Sequence, residues 1–431
     1  MVEIQAIRAF HSARPEADEL ACPVYDTMSE TELVRFASLS PYNAARFVPR
    51  PKTLGLEDFV ASAAENLALG LGSGAYVQDP TPALYVYGIR YVPPPDITEA
   101  LEPARRRSEY LLLGLVGALD LSRLEHGQVA LHEKTFADRV IERASLTDAT
   151  AMSFAPILTG YHTRGHPLND RLETLLGINR RELSFEGTAP PLVRATVSGT
   201  THLLWRIDEP SEIARLVEEV RPLRLLVLDG HHRFTAAARR QYEGHPSAPL
   251  VMLVDGSDRA LQLLPWHRVL APDVAEFEWV RDAALREFRE VDRIPVSIEP
   301  KALAEHLHRM QRRKVRGFLL VGGNEAYEVR GPRSDDAGAD FDLLHGFLDD
   351  HLEIDPEALQ FVRSPRAALE AARAASAPSG PATSFLLPGL SLRAVEQRAF
   401  DRGEVMVQKS TMFLPKVAEG ILFARADPGS D

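Results

Sequence analysis

The feature that most constrains the fold is an apolar run that stops at a glycine turn and restarts as an alanine-rich helix. Residues 225–228 are all Leu or Val, residues 234–240 follow a helical pattern, and Asp-Gly-His-His-Arg lies between them. A run without a polar face is typical of a strand covered on both sides. The segment therefore predicts a buried strand that turns sharply into a helix.

The residues of this turn form the main candidate site. Gly230 lets the backbone turn tightly. The first amides of a helix lack intrahelical acceptors and carry the positive end of the dipole, which favours a phosphate or carboxylate. The guanidinium of Arg233 can make two charged hydrogen bonds to an anion, and His231 and His232 can donate hydrogen bonds or transfer protons. Asp229 can position a metal ion or a substrate hydroxyl.

A structural alternative exists for the same residues. Asp229 would cap the helix, one histidine would pack in the core, and Arg233 would make a surface ion pair. Four ionisable side chains around one glycine exceed what a cap requires, so the pattern favours an anion site.

A second polar cluster ends a predicted strand at His132, Glu133, Lys134 and Thr135. A carboxylate flanked by an imidazole and an ammonium group can be held ionised as a base for proton abstraction. The alternative is a solvated loop, since mixed charges at strand ends are common.

A third cluster, Gln408, Lys409, Ser410 and Thr411, has the residue types of a loop that contacts a polyanion, although it lacks the glycines of a P-loop. A surface turn is the alternative interpretation. His267 and Arg268 are adjacent to each other at the end of another predicted element. For them the sequence favours an ion pair at the rim of a site.

Composition excludes several classes of protein. A net charge of -12 argues against a surface that wraps a nucleic-acid backbone. No apolar run reaches the ~18 residues of a membrane span, and the N-terminus lacks the pattern of a signal peptide, so we expect a cytoplasmic protein. The single cysteine, Cys22, excludes an intrachain disulfide and a cysteine-based metal cluster.

The length of 431 residues suggests two or three packed units. We expect a core domain over residues 1–270 and a C-terminal α/β unit over 271–431, with residues 405–420 returning to the site. Hydrophobic periodicity predicts a set of helices and strands that alternate along the chain. The helices are expected at 53–69, 138–149, 211–220, 273–289, 302–313 and 392–402, and the strands at 83–89, 109–119, 127–135, 196–206 and 316–321.

Taken together, these segments resemble a bacterial and archaeal family known as domain of unknown function 1015, and the resemblance spans nearly the whole chain. It rests on residues 22–26, 40–43, 83–87, 132–135, 153–157, 204–207, 229–233 and 408–411, with Pro415 and Lys416 near the end. Val24 departs from the family, which usually has proline there. The resemblance implies substrate contacts from Tyr25, Asp26, Asn43, His132, Lys134 and Thr135.

The turn at 229–233 is also similar to the phosphate-binding box of the ParB and sulfiredoxin superfamily, which includes free serine kinases and nucleotide switches. This likeness implies a mixed α/β (α+β) fold with a ParB/sulfiredoxin-like nucleotide-binding core, N-terminal loops and a second α/β unit. It also implies ATP or ADP and Mg²⁺ as cofactors. Gly230, His231, His232 and Arg233 would contact phosphates, and Asp229 would serve Mg²⁺ or the acceptor hydroxyl.

Sulfiredoxin chemistry needs a cysteine in the box, where this chain has histidines, and a chromosome-partitioning role needs a helix-turn-helix that we do not find. The hypothesis is therefore a kinase acting on a small hydroxyl compound, with free serine or a related amino acid as first candidate. Glu133, Asp229 and His231 would be catalytic, and His232, Arg233, Lys409, Ser410 and Thr411 would bind the nucleotide.

Two alternatives stay open, a non-catalytic nucleotide-responsive switch and a metal-dependent phosphohydrolase. The expected partners are a nucleotide and a small-molecule substrate, with no nucleic acid and no membrane. The oligomeric state is open, with a homodimer as the assembly considered.

Overall fold

A computed structural model of the chain describes residues 1–163, 165–180, 183, 190–295, 297–332, 339–376 and 380–427. It shows a mixed α/β protein, so the fold class predicted from the sequence is confirmed. Strands and helices are numbered below in chain order. The helices are α1 (Glu30–Ala37), α2 (Leu56–Gly72), α3 (Pro95–Ala100), α4 (Ala137–Thr150), α5 (Leu168–Leu176), α6 (Pro210–Val220), α7 (His231–Tyr242), α8 (Phe277–Glu287), α9 (Pro300–Arg313), α10 (Ala339–Leu352), α11 (Pro365–Ala375) and α12 (Leu392–Glu396).

The largest sheet is mixed and carries the predicted strand near one edge. In hydrogen-bonded order its strands are β6 (Val129–Ala130), β11 (Leu225–Asp229), β8 (Ile157–Tyr161), β12 (Leu250–Asp255), β5 (Tyr110–Leu119), β4 (Leu84–Tyr91), β10 (Thr200–Ile207) and β9 (Val193–Val197), with β1 (Ile4–Gln5) added beside β5. Strand β11 runs parallel to β6 and antiparallel to β8.

Both faces of β11 are covered, as its apolar sequence predicts. Leu226 and Leu228 belong to one hydrophobic cluster, and Leu225 and Val227 belong to another on the opposite face. Successive side chains of a strand point to opposite faces, so a strand between two cores needs apolar residues at every position. The polar residue Asp229 comes where the strand leaves the covered region.

A second sheet is antiparallel and lies in the C-terminal part. Its order is β15 (Glu290–Arg293), β17 (Glu325–Arg330), β16 (Gly317–Gly322), β19 (Thr383–Leu386), β14 (His267–Leu270) and β18 (Gln360–Val362). Helices α8 and α10 contribute to the apolar cluster on one face, and α9 and α11 to the cluster on the other. The boundary at residue 270 stays a prediction.

The last part of the chain returns to the N-terminal part through two smaller sheets. Strand β20 (Thr411–Leu414) pairs with β13 (Gln262–Pro265) in a two-stranded ribbon. The other sheet contains four strands, in the order β3 (Tyr76–Gln78), β2 (Phe10–Ser12), β21 (Phe423–Arg425) and β7 (Met152–Phe154). Residues 411–425 therefore pair with β13 and with strands from the first half of the sequence.

Three expected elements differ from the structure. The strand expected at 196–206 is a hairpin of β9 and β10, because Ser198 and Gly199 both adopt positive φ angles, as tight hairpin turns require. The strand expected at 127–135 is confined to Val129–Ala130. The segment expected to be one helix at 392–402 is α-helical only over Leu392–Glu396, and it is followed by a π-helical turn over Gln397–Asp401.

Within the described part of the chain, no helix is both long enough and apolar enough to cross a bilayer.

Phe423 offers a test of how firmly the end of the chain is held. It is 1% exposed, and its ring lies 5.4 Å from that of Phe10 and 5.1 Å from that of Tyr76. We expect Phe423→Ala to lower the free energy of unfolding by about 3–5 kcal/mol, because it removes a buried ring and leaves a cavity. The measurement is urea denaturation. Leu69→Ala, at a position 62% exposed, is the control and should change stability by less than about 0.5 kcal/mol. Equal losses of stability in Phe423→Ala and Leu69→Ala would contradict the burial of Phe423 against Phe10 and Tyr76.

Candidate functional site

The strand-to-helix junction is shorter than the sequence predicts. Strand β11 ends at Asp229, Gly230 has a φ of 91°, and α7 begins at His231. Such a φ belongs to the left-handed region that glycine tolerates. His231, His232 and Arg233 therefore form the first turn of α7, and their backbone amides have no acceptor four residues earlier in the helix.

The junction opens into a cleft of about 650 Å³. The cleft is bounded by the loop after Cys22, the β9–β10 turn, the junction itself and the segment around β20. Of the predicted site residues, those that line it are Tyr25, Asp26, Glu133, Lys134, Asp229, Gly230, His231, His232, Arg233, Lys409 and Thr411. Residues from four distant parts of the sequence thus meet in one place.

Asp229 forms an ion pair with Lys416, which follows β20. The two side chains are 15% and 26% exposed. Burial alone would raise the pKa of Asp229, but Lys416 and Arg233 outweigh it and the pKa falls to about 2. Burial would also lower the pKa of Lys416, yet the carboxylates of Asp229 and Asp26 raise it instead. Both groups are therefore charged at neutral pH.

Arg233 is held by the protein rather than extended into solvent. Its Nη1 donates to the carbonyl of Ala155 at 2.7 Å, and Nη2 lies 3.7 Å from Asp229 Oδ2. Ala155 has a φ of 43°, an uncommon backbone angle for a residue with a Cβ. Arg233 thus fixes a strained loop against the start of α7. Its predicted contact with a phosphate stays a prediction.

Glu133 belongs to a hydrogen-bonded trio with Thr411 and His132. The Nδ1 atom of His132 lies 2.8 Å from the carbonyl of Val227, so this nitrogen carries a proton. The Nε2 atom of His132 lies 2.7 Å from Thr411 Oγ1, which is itself 2.6 Å from Glu133 Oε1. The amide of Thr411 also donates to Glu133 Oε1, at 2.6 Å.

One hydroxyl cannot satisfy both of its neighbours in this trio. Thr411 has a single hydroxyl proton, whereas a neutral His132 Nε2 and an ionised Glu133 both require a donor at that point. An added proton on either the imidazole or the carboxylate removes the competition. Burial lowers the pKa of His132, so its imidazole is neutral at pH 7 and competes with Glu133 for the one hydroxyl proton. The role of Glu133 as a general base stays a prediction.

The two adjacent histidines point to different surroundings. His231 Nε2 lies 3.2 Å from His132 Nδ1, and burial holds the pKa of His231 well below its usual range. His232 Nε2 accepts the amide proton of Phe136 at 3.1 Å, and its ring stacks on that of Phe136. Burial also lowers the pKa of His232. The two histidines do not face a common ligand position.

Lys409 lies at the outer edge of the cleft. Its ammonium group is 5.2 Å from the centre of the Trp266 ring, within range of a cation–π contact. Its φ of 57° is left-handed, which costs a non-glycine residue roughly 1 kcal/mol. The ribbon and the tryptophan hold Lys409 in this conformation, which leaves its charge beside the cleft.

Four predicted site residues do not line the cleft. The amide of Asn43 is 0% exposed, donates to the carbonyls of Glu19 and Ala21, and accepts the amide proton of Ala45. It organises the loop behind the cleft. Ser410 is also buried and donates to the carbonyl of Val407. The other two are His132, whose ring supports Glu133 from behind, and Thr135.

The surroundings of Asp229 do not fit the predicted Mg²⁺ ion. The carboxylate already contacts the ammonium of Lys416 and has the guanidinium of Arg233 nearby, so a dication would meet two positive charges. Among the described residues, no group of three or more His, Cys, Asp or Glu side chains is arranged to hold a metal. A resident metal at Asp229 is not supported by this donor set.

Sequence reasoning missed or misjudged several residues here. The sequence indicates Lys416 only as part of a motif, yet in the structure it neutralises Asp229, 187 residues earlier in the chain. Trp266 forms part of the cleft wall. The expected rim ion pair of His267 and Arg268 is wrong, because these residues are 2% and 0% exposed and Arg268 packs near the ring of Phe341.

The fold and site define a class: a mixed α/β protein with a charged cleft where a buried strand turns into a helix. Within that class, the chain belongs to the family described as "Protein of unknown function (DUF1015)", whose model matches residues 4–349. This confirms the family to which the sequence motifs pointed.

No curated protein matches the sequence. Similar solved structures include a mutant free serine kinase in complex with ADP, at 16% identity and a TM-score of 0.38, covering 68% of this chain and 86% of that one. A conserved hypothetical protein from Pyrococcus furiosus has 14% identity, a TM-score of 0.36 and coverages of 69% and 93%. C-terminally truncated SbnI from Staphylococcus aureus has 12% identity, a TM-score of 0.35 and coverages of 69% and 82%. At these values the likeness carries no functional argument, and the ParB/sulfiredoxin-like core stays a prediction.

The depressed pKa of Asp229 predicts a pH dependence of stability. A carboxyl whose folded pKa lies below its unfolded value of about 3.9 stabilises the fold above that value, and the contribution is lost as pH falls towards the folded pKa. We expect Asp229→Asn to cost on the order of 2 kcal/mol near neutral pH and clearly less at about pH 3. Urea denaturation at both pH values measures this difference.

The control for this experiment is Asp282→Asn, which removes a carboxylate that is 52% exposed. It should change stability little at either pH. A cost for Asp229→Asn that stays constant from neutral to acidic pH would contradict the assigned ion pair.

Proposed function

We propose that this protein is a phosphotransferase that moves a phosphoryl group from ATP or ADP to the hydroxyl of a small molecule. The observation that carries the proposal is the meeting, in one cleft, of a helix N-terminus, several cations and a carboxylate supported by a hydroxyl and an imidazole. Phosphoryl transfer depends mainly on positioning and charge stabilisation, with a base that accepts the hydroxyl proton.

In this proposal the nucleotide phosphates occupy the side of the cleft next to α7. The free amides of the first turn of α7 donate to phosphate oxygens, because they have no intrahelical acceptors and carry the positive end of the helix dipole. Lys416 and Lys409 add positive charge from the C-terminal segment. His231 is neutral at pH 7, so it contributes hydrogen bonding rather than charge.

The acceptor hydroxyl lies next to Glu133. Its oxygen attacks the terminal phosphorus, the bond from that phosphorus to the bridging oxygen of the nucleotide breaks, and the hydroxyl proton moves to the carboxylate. Thr411 and His132 stabilise the protonated state, because the added proton ends the competition for the single hydroxyl hydrogen. Asp229 keeps Lys416 in place while the charge moves.

Free serine or a related amino acid is the first candidate acceptor. Such a molecule carries an ammonium group, a carboxylate and a hydroxyl. The exposed Asp26 can pair with the ammonium group, and Lys134 can pair with the carboxylate; both line the cleft that contains Glu133. Tyr25 lines the same wall.

The direct test is phosphorus NMR of the protein mixed with Mg²⁺, ATP or ADP and a pool of amino acids that includes serine. We expect a new phosphoester signal, and a loss of turnover of at least about 100-fold in Glu133→Gln, because the base is gone while the shape is kept. Glu19→Gln, at a side chain 57% exposed, is the matched control and should be as active as the wild type.

Nucleotide binding with no turnover under any of these conditions would overturn the proposal and favour the nucleotide-responsive switch. Full turnover in Glu133→Gln would remove the base assignment.

Thr411 provides a separate prediction about the trio. Thr411→Val removes the hydroxyl at nearly constant volume, so we expect kcat to fall by about 10-fold or more while the KM for nucleotide changes little. Thr411→Ser retains the hydroxyl and should recover most of the rate. Steady-state kinetics measure both parameters. Equal rates in the Val and Ser variants would show that the hydroxyl has no part in the reaction.

A further inference from the structure

A second cavity of about 320 Å³ lies outside the cleft, where the loop after α3 and the ribbon β13–β20 meet α9 of the C-terminal part. Its volume is within the range of small-molecule sites. The ribbon borders both spaces: its residues Leu263 and Phe413 line the second cavity, whereas Thr411 lines the cleft, and Arg363 lines both. No residue proposed above for phosphoryl transfer lines this second cavity.

Most of the wall of this cavity is apolar. Leu261, Leu264, Leu307, Leu387 and Phe413 are each 5% exposed or less and contribute to the lining. An apolar wall of this kind favours a ligand with a hydrocarbon body, because burying that body removes apolar surface from water.

Three buried polar atoms of the wall have no hydrogen-bond partner within the described residues. Gln262 is 0% exposed and its Oε1 accepts no hydrogen bond there, although its Nε2 donates to the carbonyl of Arg259. Arg105 Nε and His308 Nε2 are also buried without a partner. Buried polar atoms are usually hydrogen-bonded, so these three atoms in one wall are available to hydrogen-bond a polar group of a ligand.

The charged side chains of the wall indicate which charge a ligand group in this cavity would carry. Arg105, Arg363 and Arg393 line the cavity together with one carboxylate, that of Glu102. Arg363 forms an ion pair with Asp96 at 3.1 Å, so Arg105 and Arg393 supply the excess positive charge. Arg105 Nη2 donates to the carbonyl of Leu261, which holds the guanidinium in place and leaves Nε for a ligand. His267 Nδ1 accepts the amide proton of Leu387 at 3.1 Å, so its other ring nitrogen carries the proton and is a donor.

We propose that this cavity binds a small carboxylate with an apolar body. The carboxylate lies against Arg105 and the imidazole of His267, and the hydrocarbon part fills the leucine-lined space. A hydroxyl or amino group on the ligand would satisfy Gln262 Oε1. Because the ribbon β13–β20 also carries Thr411, an occupant of this cavity contacts the element that supports Glu133. The binding site itself does not depend on the phosphotransferase proposal.

The test compares hexanoate with hexylamine, which has the same chain length and the opposite charge, by saturation-transfer NMR on the intact protein. We expect hexanoate to bind and hexylamine to fail at concentrations up to about 10 mM. Arg105→Gln should weaken hexanoate binding by about tenfold or more. Arg107→Gln removes the same charge two residues away, at an exposed position outside the cavity lining, and should leave binding unchanged.

A space-filling variant makes the test independent of charge. Ala304→Phe adds a ring from α9 into the cavity, and hexanoate binding should disappear while thermal unfolding still shows a folded protein. The proposal is overturned if hexanoate does not bind the wild type or if hexylamine binds equally well. It is also overturned if Arg107→Gln weakens binding as much as Arg105→Gln, or if Ala304→Phe, still folded, binds as before.

Discussion

The ion pair between Asp229 and Lys416 is the interaction on which the site depends. It joins the end of β11 to a residue that follows β20, and it places both charges in a partly buried position. A buried carboxylate without a partner would cost several kcal/mol or become protonated. Because Lys416 neutralises it, Asp229 stays ionised at the start of α7, where the backbone amides are also available.

The same C-terminal segment supplies the rest of the architecture around this pair. Met406 bridges to Glu133 in the backbone, Thr411 donates to the side chain of Glu133, and Lys409 lies over Trp266. Residues 406–416 thus approach the predicted base and the predicted phosphate position together. A cleft of this kind forms only when the end of the chain packs against the N-terminal part, which links stability to function.

Local sequence patterns predict much of this fold because they report local physics. The apolar run at 225–228 indicates a strand between two cores, and the glycine at 230 indicates a tight turn. The structure has both, with Gly230 in a left-handed conformation. The site residues Glu133 and Thr411 were predicted separately from polar clusters at element ends. Their meeting at 2.6 Å was not predictable, because it depends on how distant segments pack.

The errors in the sequence predictions have the same origin. The sequence predicts a rim position for Arg268 because charged side chains are mostly exposed. It is buried because the rings of Phe341 and Phe361, far away in sequence, cover its guanidinium, and His345 lies 3.1 Å from it. The family resemblance implies that Asn43 contacts the substrate, yet the backbone carbonyls of Glu19 and Ala21, 24 and 22 residues earlier, accept hydrogen bonds from its amide. Side-chain partners at long range are what a single sequence does not contain.

The central claim is that Lys416, held by Asp229, forms part of a nucleotide-phosphate site at the start of α7. Its most direct test is the dissociation constant of ADP, measured by calorimetry for the wild type and for Lys416→Met. The account predicts that ADP binds the wild type and binds the folded variant at least about tenfold more weakly, since one cation next to the phosphates is lost. An unchanged dissociation constant in a folded Lys416→Met variant would contradict it.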